Sequence, residues 1–286
     1  MLRRWYRISL KIPLPYQDLI VGQLALNGLE GFLQEESHLH CFVPVDRWKT
    51  KQRRDFAQTL SRFRREFPTI SLDQTTAVLL DRNWNKTWEK SAGIVEATPR
   101  IVIKPSWKKL RKKDRGKLVI QIDPKMSFGT GHHETTRLTL LLLEQYLRPK
   151  TTLLDFGCGT GVLAIAGAKL GASRVMALDT DPWSIDNARE NVAINRVGAT
   201  VKVLRGSAEK VLRKRFDFIA ANIDLPTITK YLPALVRCLN YEGIMVLAGL
   251  LISDLKSILP LLQKRNLVPF ELVEEGEWTA LALSRV

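Results

Sequence analysis

The sequence predicts an α/β chain in two parts: a small α+β unit, then a larger doubly wound sheet. Three observations lead there. From residue 135 onward, strand-like and helix-like segments alternate without pause. Residues 153–181, LLDFGCGTGVLAIAGAKLGASRVMALDTD, read as a strand, a glycine turn, a helix and a second strand ending in acid. The first 80 residues follow the order β-α-β-β-α-β. At 286 residues and 45% hydrophobic content, the chain can fill one large or two ordinary cores.

The first unit, residues 1–80, begins with WYRISLKI, which alternates as a strand does, and YQDLIVGQLALNGL, which has helical spacing. Extended pieces around GFLQEES and LHCFVPV follow, then an amphipathic helix, RRDFAQTLSRFRREF, with Phe56, Leu60, Phe63 and Phe67 on one side. ISLDQTTAVLL supplies the last strand. This order is that of a ferredoxin-like fold, whose usual work is recognition or dimer contact. Residues 81–98, opening with DRNWNKTWEKSA, are expected to form a linker helix whose Trp84 and Trp88 face the same way, an aromatic pair suited to docking. IVIKPSW and KLVIQIDP read as a strand pair closing a basic hairpin tip. In the large unit, residues 99–286, the expected strands are TLLDFG, RVMALDTD, VKVLRG, DFIAANI, IMVLAGLL, FELVEEG and TALALSRV, the last two an antiparallel edge hairpin turning at Gly276.

Charge and composition narrow the function classes. The formal net charge is +15, and residues 1–123 carry 24 Lys and Arg against 13 Asp and Glu. The densest run, KPSWKKLRKKDRGK from Lys104 to Lys117, reads either as a solvated loop or as a patch meeting RNA or an acidic surface. Trp107 is its single aromatic, so base stacking is not indicated. No apolar run reaches eighteen residues, and the N-terminus lacks the pattern of a secretory signal. Cys41, Cys158 and Cys238 are odd in number and far apart, which argues against disulfides or a zinc site and fits a reducing cytoplasm.

The glycine turn is the chemical signal. Gly157, Gly159 and Gly161 are spaced G-x-G-x-G, whereas a dinucleotide fingerprint needs G-x-G-x-x-G. A phosphate loop needs Lys followed by Ser or Thr, and Val162-Leu163 stands there instead. The turn suits a ligand without phosphate: Gly157 and Gly159 allow close backbone approach to an amino-acid moiety, and Asp155 can organise the turn or meet an ammonium. Asp179, ending the second strand, is placed to accept from a ribose, although a dehydrogenase uses an acid there as well. An aminoacyl end at the first turn and a ribose at the second favour S-adenosyl-L-methionine. Asn222 ends the fourth strand beside the expected transfer point; its plainer reading is a cap for the helix near Pro226. Upstream, FGTG and the helix opening at Glu134-Thr135-Thr136 offer N–H groups and hydroxyls to a carboxylate. His132 and His133 are adjacent, share no helix face and have no third ligand nearby, so no metal is expected.

FGTGHHETTRL, LLDFGCGTGVLAIAGAKLGA, ALDTDPWSIDNARENVAIN and ANI, in this order, resemble the PrmA family of methyltransferases acting on ribosomal large-subunit protein 11. DRNWNKTWEKSAGIVEATPRIVIKPSW resembles that family's linker and following strand. The resemblance covers residues 80–286; the first unit matches in element order alone. It implies a C-terminal class I methyltransferase domain, a substrate-holding N-terminal domain, and S-adenosyl-L-methionine bound by Thr136, Gly157, Asp179 and Asn222. It further implies that lysine ε-amines and an N-terminal α-amine of that ribosomal protein receive several methyls each. Two features depart from the family: Asp224, where an apolar residue is usual, and the basic run, where the family is often acidic or neutral. Asn222, through its carbonyl, is expected to orient the amine. The rival readings are methylation of another protein lysine or of RNA, against which the absence of proline and an aromatic after Asn222 counts, and a non-catalytic ribosome-binding factor.

Overall fold

The computed structural model describes residues 4–26, 29, 31–70, 72–80, 93–123 and 127–285, and divides into two compact units at Lys90/Ser91. The first contains β1 (Arg4–Lys11), α1 (Leu14–Leu26), β2 (Gly31–Gln34), β3 (His38–Pro44), α2 (Thr50–Glu66) and β4 (Gln74–Leu80). Its strands pair antiparallel in the order β2-β3-β1-β4, the ferredoxin-like arrangement. The core follows the periodicities of the sequence. Ile8 and Leu10 point from β1 to one face, and Phe56, Leu60 and Phe63 of α2 cover the same core. Phe67 lies just past the helix end and packs at the margin.

Of the expected linker helix, residues 81–92, with Trp84 and Trp88, lie outside the described residues. Val95 and Glu96 form strand β5 (Val95–Glu96) rather than helix, paired antiparallel with β6 (Ile101–Lys104). The pair flanking the basic run also differs from expectation. β6 and β7 (Leu118–Gln121) run parallel, so residues 105–117 are a crossover and not a hairpin tip. Ile101 and Ile103 of β6, Ile120 of β7 and Ile122 just beyond it all enter the core of the large unit. Alternation alone could not distinguish parallel from antiparallel pairing.

The large sheet has the order β10-β9-β8-β11-β12-β14-β13. Its strands are β8 (Thr152–Phe156), β9 (Arg174–Asp179), β10 (Val201–Arg205), β11 (Phe216–Asn222), β12 (Leu239–Leu251), β13 (Leu267–Glu275) and β14 (Trp278–Arg285). β10, β9, β8, β11 and β12 are parallel, and β14 and β13 close the edge as the expected antiparallel hairpin. Helices α3 (Glu134–Tyr146), α4 (Val162–Lys169), α5 (Pro182–Ile194), α6 (Leu225–Cys238) and α7 (Leu255–Gln263) cover it. Successive strand residues enter opposite cores: Leu153, Phe218 and Val246 pack on the side of α3 and α4, while Leu154, Ile219 and Leu247 pack with α6 and α7. The chain leaves β8 toward β9 on one side and returns to β11 on the other. A crevice therefore opens where the carboxyl ends of β8 and β11 adjoin.

Candidate active site

Two turns build the crevice. After β8, Gly157, Gly159 and Gly161 all have positive φ, at 80°, 51° and 79°, which only glycine adopts without strain. Space is restricted as well. A Cβ on Gly157 would stand 2.5 Å from Ile223 Cγ2, and one on Gly159 would stand 2.3 Å from the Phe128 carbonyl oxygen. The glycines thus admit two other pieces of the site, the Asn222-Ile223 turn and the FGTG segment, rather than leaving bare backbone for a ligand alone.

The N–H groups of this turn decide what it can bind. Those of Gly157 and Cys158 donate to Leu178 O, that of Gly159 to Asp179 Oδ2, that of Thr160 to Phe128 O and that of Gly161 to Cys158 O. A pyrophosphate cradle needs such groups free; here all five are taken. What remains is acceptor chemistry. Asp155 is fully buried, with Oδ2 accepting from Ala164 N at 2.9 Å and Oδ1 bare. Burial raises its carboxyl to about 7, with the Asp179 charge adding to the rise and the Ala164 N–H opposing it. Asn222 Oδ1 and Thr136 Oγ1 are likewise buried without a hydrogen-bond partner among the described residues. Asp179 is fixed by two backbone N–H groups, those of Gly159 and Asp181, one on each oxygen, leaving each oxygen a second lone pair. Buried polar atoms are normally bonded, so bare acceptors clustered at strand ends mark a place for donors from outside the chain.

Asn222 is not the helix cap that its position also allowed. Asp224 caps α6, accepting from Thr227 N at 2.7 Å. Asn222 instead pairs in register with Ala248 of β12, and Ile223 N donates to Ala248 O. The next residue, Gly249 (φ 81°), has no room for a side chain, since a Cβ would come within 2.5 Å of Ile223 O. Continuing the Ala220–Asp155 register by two residues sets Asn222 level with Gly157.

Beside Asn222 lies a cavity of about 330 Å³ walled by Phe128, His133, Ile223, Asp224, Gly249 and Trp278, among others. The ring of His133 meets Trp278 at 4.8 Å and Phe128 at 5.2 Å. His133 is the cap of α3: its Nδ1 accepts from Thr135 N. The N–H groups of Thr135 and Thr136 are used in that cap, so the free-amide carboxylate site expected at this helix start reduces to the Thr136 hydroxyl. Arg137 holds the aromatic wall together by joining α3 to Glu275 at the end of β13 and to His132 O. Among the described residues, no three His, Cys, Asp or Glu side chains gather to hold a metal.

A model of the PrmA family, ribosomal protein L11 methyltransferase, matches residues 29–286. The chain belongs to this family. Membership makes it a methyltransferase. It is 36% identical over 241 residues to the ribosomal protein L11 methyltransferase of Pelotomaculum thermopropionicum, covering 84% of this chain and 77% of that one. It is 37% identical over 205 residues to that of Ruminiclostridium cellulolyticum, covering 70% of this chain and 64% of that one. Among solved structures, the ribosomal protein L11 methylase of Lactobacillus delbrueckii subsp. bulgaricus superposes with a TM-score of 0.63 at 30% identity, over 67% of this chain and 98% of that one.

The structure brings together Gly157, Gly159, Asp179 and Asn222 around the ends of β8, β9 and β11, and Thr136 shows a bare hydroxyl in the first turn of α3. Sequence reasoning missed Phe128, Trp278 and Gly249. It also missed the asparagines of α5 and its end. Asn191 accepts from Asp123 N and donates to Thr160 O, and Asn195 clasps Gln121 from both sides. The signal was available: Asn187, Asn191 and Asn195 recur every four residues on an otherwise apolar helix face, and a glycine inside a strand marks close backbone approach.

Proposed function

We propose that the chain transfers methyl groups from S-adenosyl-L-methionine to amines of ribosomal protein L11, the lysine ε-amines and the N-terminal α-amine. The observation carrying this is a glycine turn whose N–H groups are all taken, next to bare buried acceptors and an aromatic-walled cavity. Such a set rejects phosphate and suits a cofactor bearing ammonium and sulfonium charges and ribose hydroxyls. Asp179 would hold the ribose, Asp155 and Thr136 the amino-acid end, and the Gly157 and Gly159 turn the floor between them. Bound there, the cofactor supplies an activated methyl for in-line displacement.

The chain's own residues have two tasks in that reaction. Asn222 Oδ1, a neutral acceptor, orients an amine that has lost its proton; a lysine amine has a reference pKa near ~10.4, so the cavity must take it neutral. Phe128, His133 and Trp278 exclude water around it, which favours the uncharged amine. The ferredoxin-like unit holds the protein substrate in this reading. The site is proposed to work in the cytoplasm; among the described residues no helix is long and apolar enough to cross a membrane.

A contact with ribosomal RNA through the basic crossover belongs to the same reading, though on a smaller charge than the sequence suggests. Lys113 and Lys117 pair with Glu96, and Arg111 and Lys117 pair with the buried Asp114. Lys108, Lys109, Lys112 and Arg115 are the cations of the crossover without an ion pair among the described residues, and these would meet phosphates. Calorimetry with S-adenosyl-L-methionine, followed by transfer of labelled methyl to purified ribosomal protein L11 or to ribosomal RNA, tests the proposal. Label on RNA alone refutes the protein acceptor, and no heat of binding refutes the cofactor.

A further inference from the structure

We infer that Asp224 is a specificity-determining residue that captures a cationic amine at the mouth of the Asn222 cavity; the inference rests on the methyltransferase reading above. Among the described residues lining that cavity, Asp224 is the one carboxylate. Its neighbours in the wall include Phe128, Trp278 and the buried carbonyl of Asn222. One carboxylate, two aromatic side chains and one neutral acceptor make a container for an ammonium group.

Capping alone does not account for the residue. The cap uses one oxygen, Oδ1, which accepts from Thr227 N at 2.7 Å. Oδ2 has no partner among the described residues. Asn or Ser would cap α6 about as well without a charge. The cap nonetheless matters for the proposed role, because it fixes the carboxylate's direction. Asp224 is exposed where Asn222 Oδ1 is buried, and the two therefore divide the work by depth. A carboxylate paired with an ammonium holds the proton on, so it would slow transfer if it stood at the reacting nitrogen. At the mouth it favours entry of the protonated side chain and of its partly methylated forms, and Asn222 meets the amine after the proton has left. Its effect accordingly falls on acceptor binding and not on the transfer step.

The test uses the full chain with Asp224→Asn and Asp224→Ser, two capping residues without charge. Calorimetry in the presence of S-adenosylhomocysteine, with a peptide carrying one Nε-trimethyl-lysine as the probe, reads binding without turnover. Both variants are expected to bind the peptide about 5- to 20-fold more weakly at low salt, with unchanged S-adenosylhomocysteine affinity, and the difference is expected to close at high salt. In turnover, the KM for the protein acceptor rises by a similar factor while kcat stays within about twofold. Peptide affinity equal to that of the unmodified chain overturns the inference, as does a difference between the two variants, which would assign the residue to capping. Failure of the unmodified chain to bind S-adenosylhomocysteine strikes the cofactor reading instead, and the peptide titration still judges Asp224.

Discussion

Asp155 shows how a single carboxylate serves the site at a cost to the fold. Its oxygens are sealed from water and have one N–H between them, so the proton is held up to about pH 7. The unfolded chain releases that proton near pH ~3.9. Folding therefore binds a proton between these values, and stability from this group is full below the lower one and lost as pH rises through about 7. Urea unfolding without cofactor should show stability falling from pH 5 to pH 8 by up to about 2.5 kcal/mol, while Asp155→Asn flattens that slope. Asn222 bears on rate instead. Asn222→Ala removes the orienting carbonyl, and kcat at saturating S-adenosyl-L-methionine should fall about 100-fold, with thermal stability nearly unchanged. Full turnover in that variant would remove Asn222 from the mechanism.

At the scale of elements, the site is a set of turns braced against one another. The glycine turn after β8 contacts the FGTG segment, which Thr160 grips by donating from its hydroxyl to Gly129 O at 2.6 Å. Asn191 and Asn195 fasten the strand leading into that segment to α5. Asn191→Ala strips partners from Asp123 N and Thr160 O, at about 1–3 kcal/mol for each buried group left unpaired. It should lower Tm and weaken cofactor binding together, as melting and calorimetry would show. Gly249→Ala acts on the other turn. A methyl group 2.5 Å from Ile223 O, at φ 81°, must push the Asn222-Ile223 corner away. Activity should drop more steeply than stability, because β12 remains paired on both sides while its neighbouring turn shifts.

The described residues form three cores, one within the first unit and two on the opposite faces of the large sheet. Ile8, Leu10, Phe56 and Leu60 seal one, and none of the site residues comes from that unit. A chain beginning at residue 91 is expected to fold and bind S-adenosyl-L-methionine with the affinity of the full protein. The same fragment should lose most of its kcat/KM toward ribosomal protein L11 if the first unit holds the substrate. Undiminished kcat/KM in the fragment would leave the first unit without that role.

The sequence by itself determined the order of elements, the doubly wound sheet with its edge hairpin, the ferredoxin-like unit and the family. These rest on period-2 and period-3.6 patterns and on contiguous motifs, which are local quantities. The placement of Asp155, Asp179 and Asn222 at or near strand ends was legible for a related reason: the carboxyl ends of parallel strands are fixed by topology. Only the tertiary structure decided that β6 and β7 run parallel, that Asp224 and not Asn222 caps α6, and that His133 is a cap in an aromatic wall. It also decided that the glycine turn has no N–H to spare, because the partners of those groups, Leu178, Asp179 and Phe128, come from other segments. Pairing direction, hydrogen-bond allocation and cavity walls depend on residues far apart in the chain meeting in space, and a linear pattern does not encode which of several acceptable partners each group will find.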